Sequence, residues 1–406
     1  MLFCISAMNV SANGFRLSSQ DAFATARGEA FVATANNASA IYYNPAGIAR
    51  LEGNNLRAGL YGIYLDPTFR AANSGNTYHI DSADQLAAVP QLFYAYTPKE
   101  SPVSFGLGVY SPYGLSAAWP EGSDFRAVAL NGSLTYFRVN PVAALKLARN
   151  FSVAAGLTVD YAKMDLEQGM IRDPLPPNFF RFKGDGWGVG YNLGLLWQPH
   201  EKISIGATFR SSTAITLAGH TEAEKLSQLR LTYRNAQADF TFPLTAVFGI
   251  SFRPTPKWNL EFDADYTDWS SIGTITIRQA REPLVPDPAT LILDWQASWM
   301  YECGVTRYFD RGWHASAGFV FNENSVPNAY YTPLLADLDR YFFSVGAGHK
   351  GKRLDLDLAY QFGCGPAHTV TGSTPSTIGG QVAGQTADGK YDFISHAVLV
   401  TVGWHF

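Results

Sequence analysis

The stretch SHAVLVTVGWHF, residues 395–406, decides the fold class. Phe406, Trp404, Val402, Val400 and Val398 share one parity, while His405, Gly403, Thr401, Leu399, Ala397 and Ser395 share the other. Side chains of a strand point alternately to opposite faces. One face is therefore aliphatic and aromatic, the other small and mostly polar. Chain ends usually fray into water, which suits a polar tail better than an apolar strand face. An apolar band closed by aromatic residues is the pattern of an outer-membrane β-barrel, where lipid is the solvent for half of the side chains.

Composition points the same way. The chain has 406 residues and a formal net charge of −4, so neither a polyanion-binding surface nor a nucleic-acid partner is expected. Charged residues make up 16% of the chain, against roughly 25% in ordinary soluble domains. No run reaches the ~18 apolar residues of a membrane-spanning helix. Low charge without such a run fits strands whose apolar residues sit at every second position.

The same alternation recurs upstream. Leu260, Phe262, Ala264 and Tyr266 oppose Glu261, Asp263, Asp265 and Thr267, and Leu354, Leu356, Leu358, Tyr360 and Phe362 oppose Asp355, Asp357, Ala359 and Gln361. Period-two alternation is the sheet signature. Acidic side chains at alternate positions cannot face lipid, so that face is expected to line a lumen. A soluble antiparallel sheet with one wet face is the alternative, and spacing argues against it. Strands are expected at 55–65, 90–97, 103–111, 131–147, 151–167, 185–198, 203–218, 238–253, 258–279, 292–307, 313–322, 340–350, 353–363 and 391–406. That is about fourteen, an even number as bacterial single-chain barrels have. Short connections at 148–150, 199–202, 254–257 and 351–352 carry turn residues. Long ones fall at 66–89, 112–130, 168–184, 219–237, 323–339 and 364–390. Short periplasmic turns and long outer loops are the barrel asymmetry.

Residues 1–12 (MLFCISAMNVSA) hold a short apolar stretch ending in Val10-Ser11-Ala12, which reads as the remnant of a signal peptide cleaved before Asn13. Residues 13–54 are rich in Ala, Asn and Ser without a period of two. Ahead of a complete barrel formed by residues 55–406 they could sit outside it or plug it, and a lumen of that width needs a filler, since an empty channel would leak solutes. Cys4 would leave with the signal, and Cys303 and Cys364 are read as structural thiols too far apart to pair.

Several motifs stand in a fixed order along the chain. Asn13-Gly14-Phe15 is followed by Asn37-Ala38-Ser39-Ala40-Ile41-Tyr42-Tyr43-Asn44-Pro45-Ala46-Gly47. Then come Phe105-Gly106-Leu107-Gly108 with Ser111-Pro112-Tyr113-Gly114-Leu115, Val326-Pro327 with Asp337-Leu338-Asp339-Arg340-Tyr341, and Gly389-Lys390-Tyr391. In this order the chain resembles the FadL-type outer-membrane transporters of long-chain fatty acids and other hydrophobic compounds. The resemblance implies an all-β, fourteen-stranded transmembrane barrel with an N-terminal hatch, in the bacterial outer membrane. It also implies passive uptake of hydrophobic molecules captured at the outer loops and released sideways through a kinked third strand. Long-chain fatty acids are the family's default substrate, and aromatic or aliphatic hydrocarbons the alternative.

Residue roles follow from that resemblance. Asn44, Pro45, Ala46 and Gly47 form the hatch motif, although the same residues could simply cap a short helix. Phe105, Gly106 and Gly108 are expected at the lateral-exit kink, because glycine tolerates unusual dihedrals; close packing against the hatch is the other reading. Lys163 is the candidate partner of a substrate carboxylate. Its parity with Leu157, Val159 and Tyr161 is lipid-like, so a bulge would have to turn it inward. Phe179 and Phe180, with a short helix at 220–229 carrying Leu226 and Leu229, are expected to form an apolar capture groove. Arg126, Arg138 and Arg210 are read as partners of lumen carboxylates. Trp404 and Phe406 are expected to close the barrel and to be recognised by the barrel-assembly machinery.

Rival functions have less support. A general aqueous porin would not need residues 13–54. An outer-membrane hydrolase needs a nucleophile beside a base, and Ser395 and His396 are adjacent on one strand and point apart. The histidines show no metal spacing, and no phosphate loop or dinucleotide fingerprint appears, so no catalytic residue, metal or cofactor is expected. The expected partners are the hydrophobic substrate, outer-membrane lipid and lipopolysaccharide, and the assembly machinery, with the chain as a monomer.

Overall fold

A computed structural model describes residues 14–82, 85–170, 179–224, 231–280, 288–335, 337–377 and 385–406. The expected signal segment 1–12 and Leu226 and Leu229 lie outside these residues.

Fourteen antiparallel strands close into one barrel. They are β1 (Gly53–Ala71), β2 (Leu86–Thr97), β3 (Val103–Tyr110, resuming at Gly114–Ala118), β4 (Asn131–Ala148), β5 (Phe151–Gly169) and β6 (Phe179–His200). Then follow β7 (Ile203–Arg210 and Thr213–Glu224), β8 (Leu231–Phe242 and Thr245–Phe252), β9 (Trp258–Thr267 and Thr274–Gln279) and β10 (Ala289–Ile292 and Ser298–Tyr308). The last four are β11 (Trp313–Asn322), β12 (Arg340–Lys350), β13 (Leu354–Cys364) and β14 (Gly389–His405). Each pairs with its sequence neighbours, and β14 closes on β1 with Asn55 opposite His405 and Ala71 opposite Gly389. Phe406 extends this seam: its N–H donates to the Asn54 carbonyl at 3.0 Å, and its carbonyl accepts from the Asn54 N–H at 3.1 Å. Two short strands, Thr77–His79 and His368–Val370, add to the outer ends of β1 and β14.

Outward positions are apolar and exposed on every side of the barrel. Trp187 and Trp197 on β6 are 60% and 42% exposed and stand ten residues apart. Ten strand residues rise about 33 Å, which at a barrel tilt of ~40° spans about 25 Å, the height of an outer-membrane apolar band. Trp258, Phe309, Trp313, Trp404 and Phe406 continue the lower aromatic girdle beside the short turns.

The observed strands differ from the sequence reading at their outer halves. The segment expected as a loop at 219–237 is mostly wall: β7 runs to Glu224 and β8 starts at Leu231, paired from Thr213–Phe242 to Glu224–Leu231. Residues 220–224 are therefore strand and not helix, since Thr221 and Ala223 turn inward into packed surroundings. Conversely, β7 to β10, expected unbroken, are each interrupted: at 211–212, 243–244, 268–273 and 293–297. Pro243 has no N–H to give the ladder, and Trp269 folds inward in a single 3₁₀ turn, fully buried.

Candidate functional site

Residues from Gly14 to the start of β1 lie against inward-facing side chains from around the barrel. This segment contains α1 (Ala22–Ala26), α2 (Ala40–Tyr43) and a 3₁₀ turn, Pro45–Arg50. The alternating acids of β9 meet it. Arg16 forms a two-pronged pair with Asp265 at 2.8 and 2.6 Å, and Arg27 reaches Glu261 at 3.0 Å. Asp263 Oδ2 accepts from the N–H groups of Phe31 and Val32, both at 2.8 Å, and Glu261 Oε1 from those of Ala33 and Thr34 at 2.7 and 3.0 Å. Charge-assisted bonds of this kind contribute about 1.5–3 kcal/mol each. On the far side, Arg57 of β1 holds Asp21, the N-cap of α1, and also Asp357 of β13. Alternation alone pointed these acids at a lumen; their partners in the N-terminal segment carry no sequence signal of their own.

Asn44 is the pivot of its motif. Its amide donates to the carbonyls of Val32 at 2.8 Å and Leu195 of β6 at 2.9 Å, and its side-chain oxygen accepts from the Ala46 N–H at 3.2 Å. Pro45 opens the 3₁₀ turn where no N–H is needed. Ser152 of β5 donates to the Ala46 carbonyl at 2.9 Å. A Cβ on Gly47 would run into the Ala35 backbone, so the turn can carry only glycine there.

The wall departs from a regular ladder at β3, though not where the glycines led. Gly106 and Gly108 pair normally with Ala95 and Phe93 of β2 and with Val142 and Asn140 of β4. Their inward faces instead receive Ile41 of α2: a Cβ would stand 2.8 Å from Ile41 Cδ1 at Gly106 and 2.9 Å from Ile41 Cγ2 at Gly108. The strand is interrupted further on, at 111–113, where Pro112 lies, and not at Phe105, Gly106 and Gly108, the residues expected at the lateral-exit kink. Phe105 is exposed on the outer face. The N-terminal segment pairs with the break: Leu17 N–H donates to the Pro112 carbonyl at 2.8 Å, and Gly114 N–H to that of Phe15 at 3.0 Å. Beyond the break β3 pairs only with β4, while residues 86–91 of β2 pair only with β1. Between them the wall has no ladder among the described residues, only a main-chain bond from the Asp81 N–H to the Ala118 carbonyl at 2.9 Å at its outer end. Close packing at Gly108 is testable. Gly108→Ala and Ile41→Ala are expected to destabilise less together than the sum of their separate losses, by about 1 kcal/mol, in thermal unfolding followed by circular dichroism. Additive losses would favour a hinge role for Gly108 instead.

Above this break lies an apolar cavity of about 90 Å³. Leu115, Leu134, Met164, Phe240, Ile275 and Trp295 are among its walls, and no charged side chain lines it among the described residues. Phe15 forms its floor, with ring contacts to Tyr113, Phe240, Phe242, Trp269 and Trp295 at centroid distances of 4.9–6.0 Å. Phe15 therefore borders the cavity with its side chain while its own carbonyl, together with the Leu17 N–H, bonds to the break in β3.

Three expected ligand positions lie elsewhere. Lys163 is exposed on the outer face of β5, where Tyr161, Phe137 and Trp187 form an aromatic cluster one row below. No bulge turns it inward, because β5 pairs regularly with β6 through this region; its neighbour Met164 faces the cavity instead. Phe179 and Phe180 belong to β6, paired with β5 and β7, and not to a loop; Phe180 is buried and does not line the cavity. Arg138 pairs with the buried Asp160 at 2.6 Å, as read. Arg126 pairs with Glu121 at 3.1 Å, an exposed loop acid. Arg210 lies over the Tyr42 ring at 4.6 Å.

Residues 3–404 match the family described as outer membrane protein transport protein (OMPP1/FadL/TodX). The chain is 24% identical over 378 residues to the long-chain fatty acid transport protein of Escherichia coli O6:H1, covering 82% of each. It is 25% identical over 404 residues to a putative outer membrane protein of Neisseria meningitidis serogroup B, covering 87% of this chain and 86% of that one. Its fold is similar to that of a Pseudomonas aeruginosa FadL homologue, with a TM-score of 0.84 at 20% identity over 97% and 100% of the two chains. It is also similar to the Pseudomonas putida toluene transporter TodX, with a TM-score of 0.71 at 14% identity over 96% and 99%.

Proposed function

We propose, from the premise that the chain belongs to the outer membrane protein transport protein family (OMPP1/FadL/TodX), that it takes up a small hydrophobic molecule through the cavity above Phe15 and releases it sideways at the break in β3. The observation that carries this reading is the cavity itself: its lining is apolar, and Phe15, which borders it, belongs to the segment 15–17 that bonds to the break in β3. An apolar molecule gains by leaving water for such a surface and again by leaving for lipid, and a sideways exit spares it a second passage through water. Movement of Phe15 and Arg16 away from Tyr113 would join cavity to exit. Residues 13–54 act as the hatch in this scheme. Capture at the outer loops, recognition of Trp404 and Phe406 during assembly, and a monomeric barrel belong to the same proposal.

The uncharged lining favours an aromatic or aliphatic hydrocarbon. A long-chain fatty acid is the second reading, supported by what the Escherichia coli relative is named for; its carboxylate would then stay among the outer loops, above the cavity. Uptake of labelled toluene, an alkane and oleate by cells lacking their own transporter separates the two. Hydrocarbon uptake without oleate uptake is expected. Failure of all three, with free passage of small sugars, would overturn the transporter reading in favour of a porin.

A further inference from the structure

The outer side of the wall carries a second concavity, unconnected with the path through the lumen. A trough of about 680 Å³ indents the lipid-facing surface across β3 to β7. Its shape comes from side-chain size. In register across these strands, Ala143 and Ala155 stand between Phe105 on one side and Leu193 and Phe209 on the other. Ala207 continues the low floor one row below. Small residues flanked by large ones leave a groove that an unbranched chain fills better than it would a flat wall.

Its height in the membrane is set by the girdle. Leu193 is four residues from Trp197 of the lower aromatic belt, on the side toward the barrel centre. The trough therefore opens into the leaflet at the short-turn end. The turns closing these same strands are net cationic: Lys146, Arg149 and Lys202 are exposed there with Glu201, while Lys99 and Glu100 of the turn before β3 offset each other. None of the three cations is held by a carboxylate among the described residues. From Ala207 to Lys202 the strand rises about 17 Å, a distance an acyl chain spans.

We infer that the trough binds one acyl chain of a membrane phospholipid, with its phosphate at the Lys146, Arg149 and Lys202 turns. The charge is complementary to a phospholipid headgroup and opposed to a second copy of this chain, because a two-fold contact over this face would bring the same cations together. The wall here is a single layer. Gly194, at the back of the trough, has its inward side 2.5 Å from Asn44 Oδ1 at the position a Cβ would take. The lipid would thus lie directly behind the strand that receives the Asn44 amide at the Leu195 carbonyl.

Native mass spectrometry of the whole protein released from mild detergent, titrated with phosphatidylglycerol, tests this. The expected result is a saturable adduct of one lipid per barrel. Ala155→Trp, which fills the trough from the lipid side, lowers retention about tenfold or more. The triple change Lys146→Gln, Arg149→Gln and Lys202→Gln lowers retention of phosphatidylglycerol by a similar factor but leaves that of uncharged diacylglycerol unchanged. Hydrocarbon uptake is unchanged in both variants, so the outcome is separable from that of the transport proposal. Lipid loss without saturation in the unaltered protein, an adduct indifferent to Ala155→Trp, or a two-chain species that Ala155→Trp dissociates would each overturn it. Should Ala155→Trp not assemble, as read from heat-modifiable mobility, saturation and the triple change still decide.

Discussion

Arg57→Ala is expected to open the barrel to small hydrophilic solutes without dismantling its wall. Arg57 is buried and spans two elements: its Nη2 reaches Asp21 at 3.0 Å and Asp357 at 2.6 Å. Asp21 in turn accepts from the Phe23 and Ala24 N–H groups at the start of α1, and Asp357 is 2.7 Å from His314. Removing the cation leaves two carboxylates facing each other away from water, a loss of about 3–5 kcal/mol for a buried pair broken on one side. The wall does not share that loss, since the β14–β1 and β13–β14 ladders on either side are main-chain bonds. The cost falls on the N-terminal segment, which leaves the lumen more often. In planar bilayers the unaltered protein is expected to conduct little and Arg57→Ala clearly more, with heat-modifiable mobility intact in both. Arg57→Lys falls between them, because a point cation cannot bridge both acids as a guanidinium does. Unaltered conductance together with a lower unfolding temperature would make Arg57 a brace of the wall and not the anchor of the segment.

How much of this was legible in the sequence depended on whether a signal was periodic. Strand number, closure and the lumen face of β9 and β13 all rest on alternation, a property of each residue's own neighbours, and all three are present in the structure. What alternation cannot report is where a strand stops pairing on one side while continuing on the other. The break at 111–113 depends on residues 15–17, nearly a hundred positions away, supplying bonds to β3 from inside. Glycine spacing pointed to Gly106 and Gly108 because glycine permits a kink, yet the same absence of a side chain also admits Ile41, and only tertiary contact distinguishes the two. The outer halves of β7 and β8, with His220, Glu222 and Glu224, lack an apolar alternation and from sequence alone suggest a loop with a short helix. They are strand all the same, because the wall rises above the membrane, where polar outward positions are no obstacle.

Lys163 and Met164 separate these two kinds of inference within one dipeptide. Lys163 became a ligand candidate by resemblance, against its own parity; Met164, one residue on, received no role although parity turned it inward. The structure follows parity, with Lys163 exposed and Met164 buried on the cavity wall. Two substitutions of adjacent residues are therefore expected to differ sharply. Lys163→Ala should leave hydrocarbon uptake within error of the unaltered protein, since the side chain meets lipid or headgroups only. Met164→Trp replaces a flexible, unbranched side chain by a rigid bicyclic one in a cavity of about 90 Å³. It should lower uptake by at least about tenfold, the equivalent of ~1.4 kcal/mol of lost binding. The barrel should still assemble, because the added bulk enters empty space and not a packed core. Met164→Ala supplies the control in the other direction, enlarging the cavity while keeping the ladder between β5 and β6. If Lys163→Ala abolished uptake of oleate while sparing toluene, a carboxylate would be meeting the protein on its outer face, and the route through the cavity would have to be given up for that substrate.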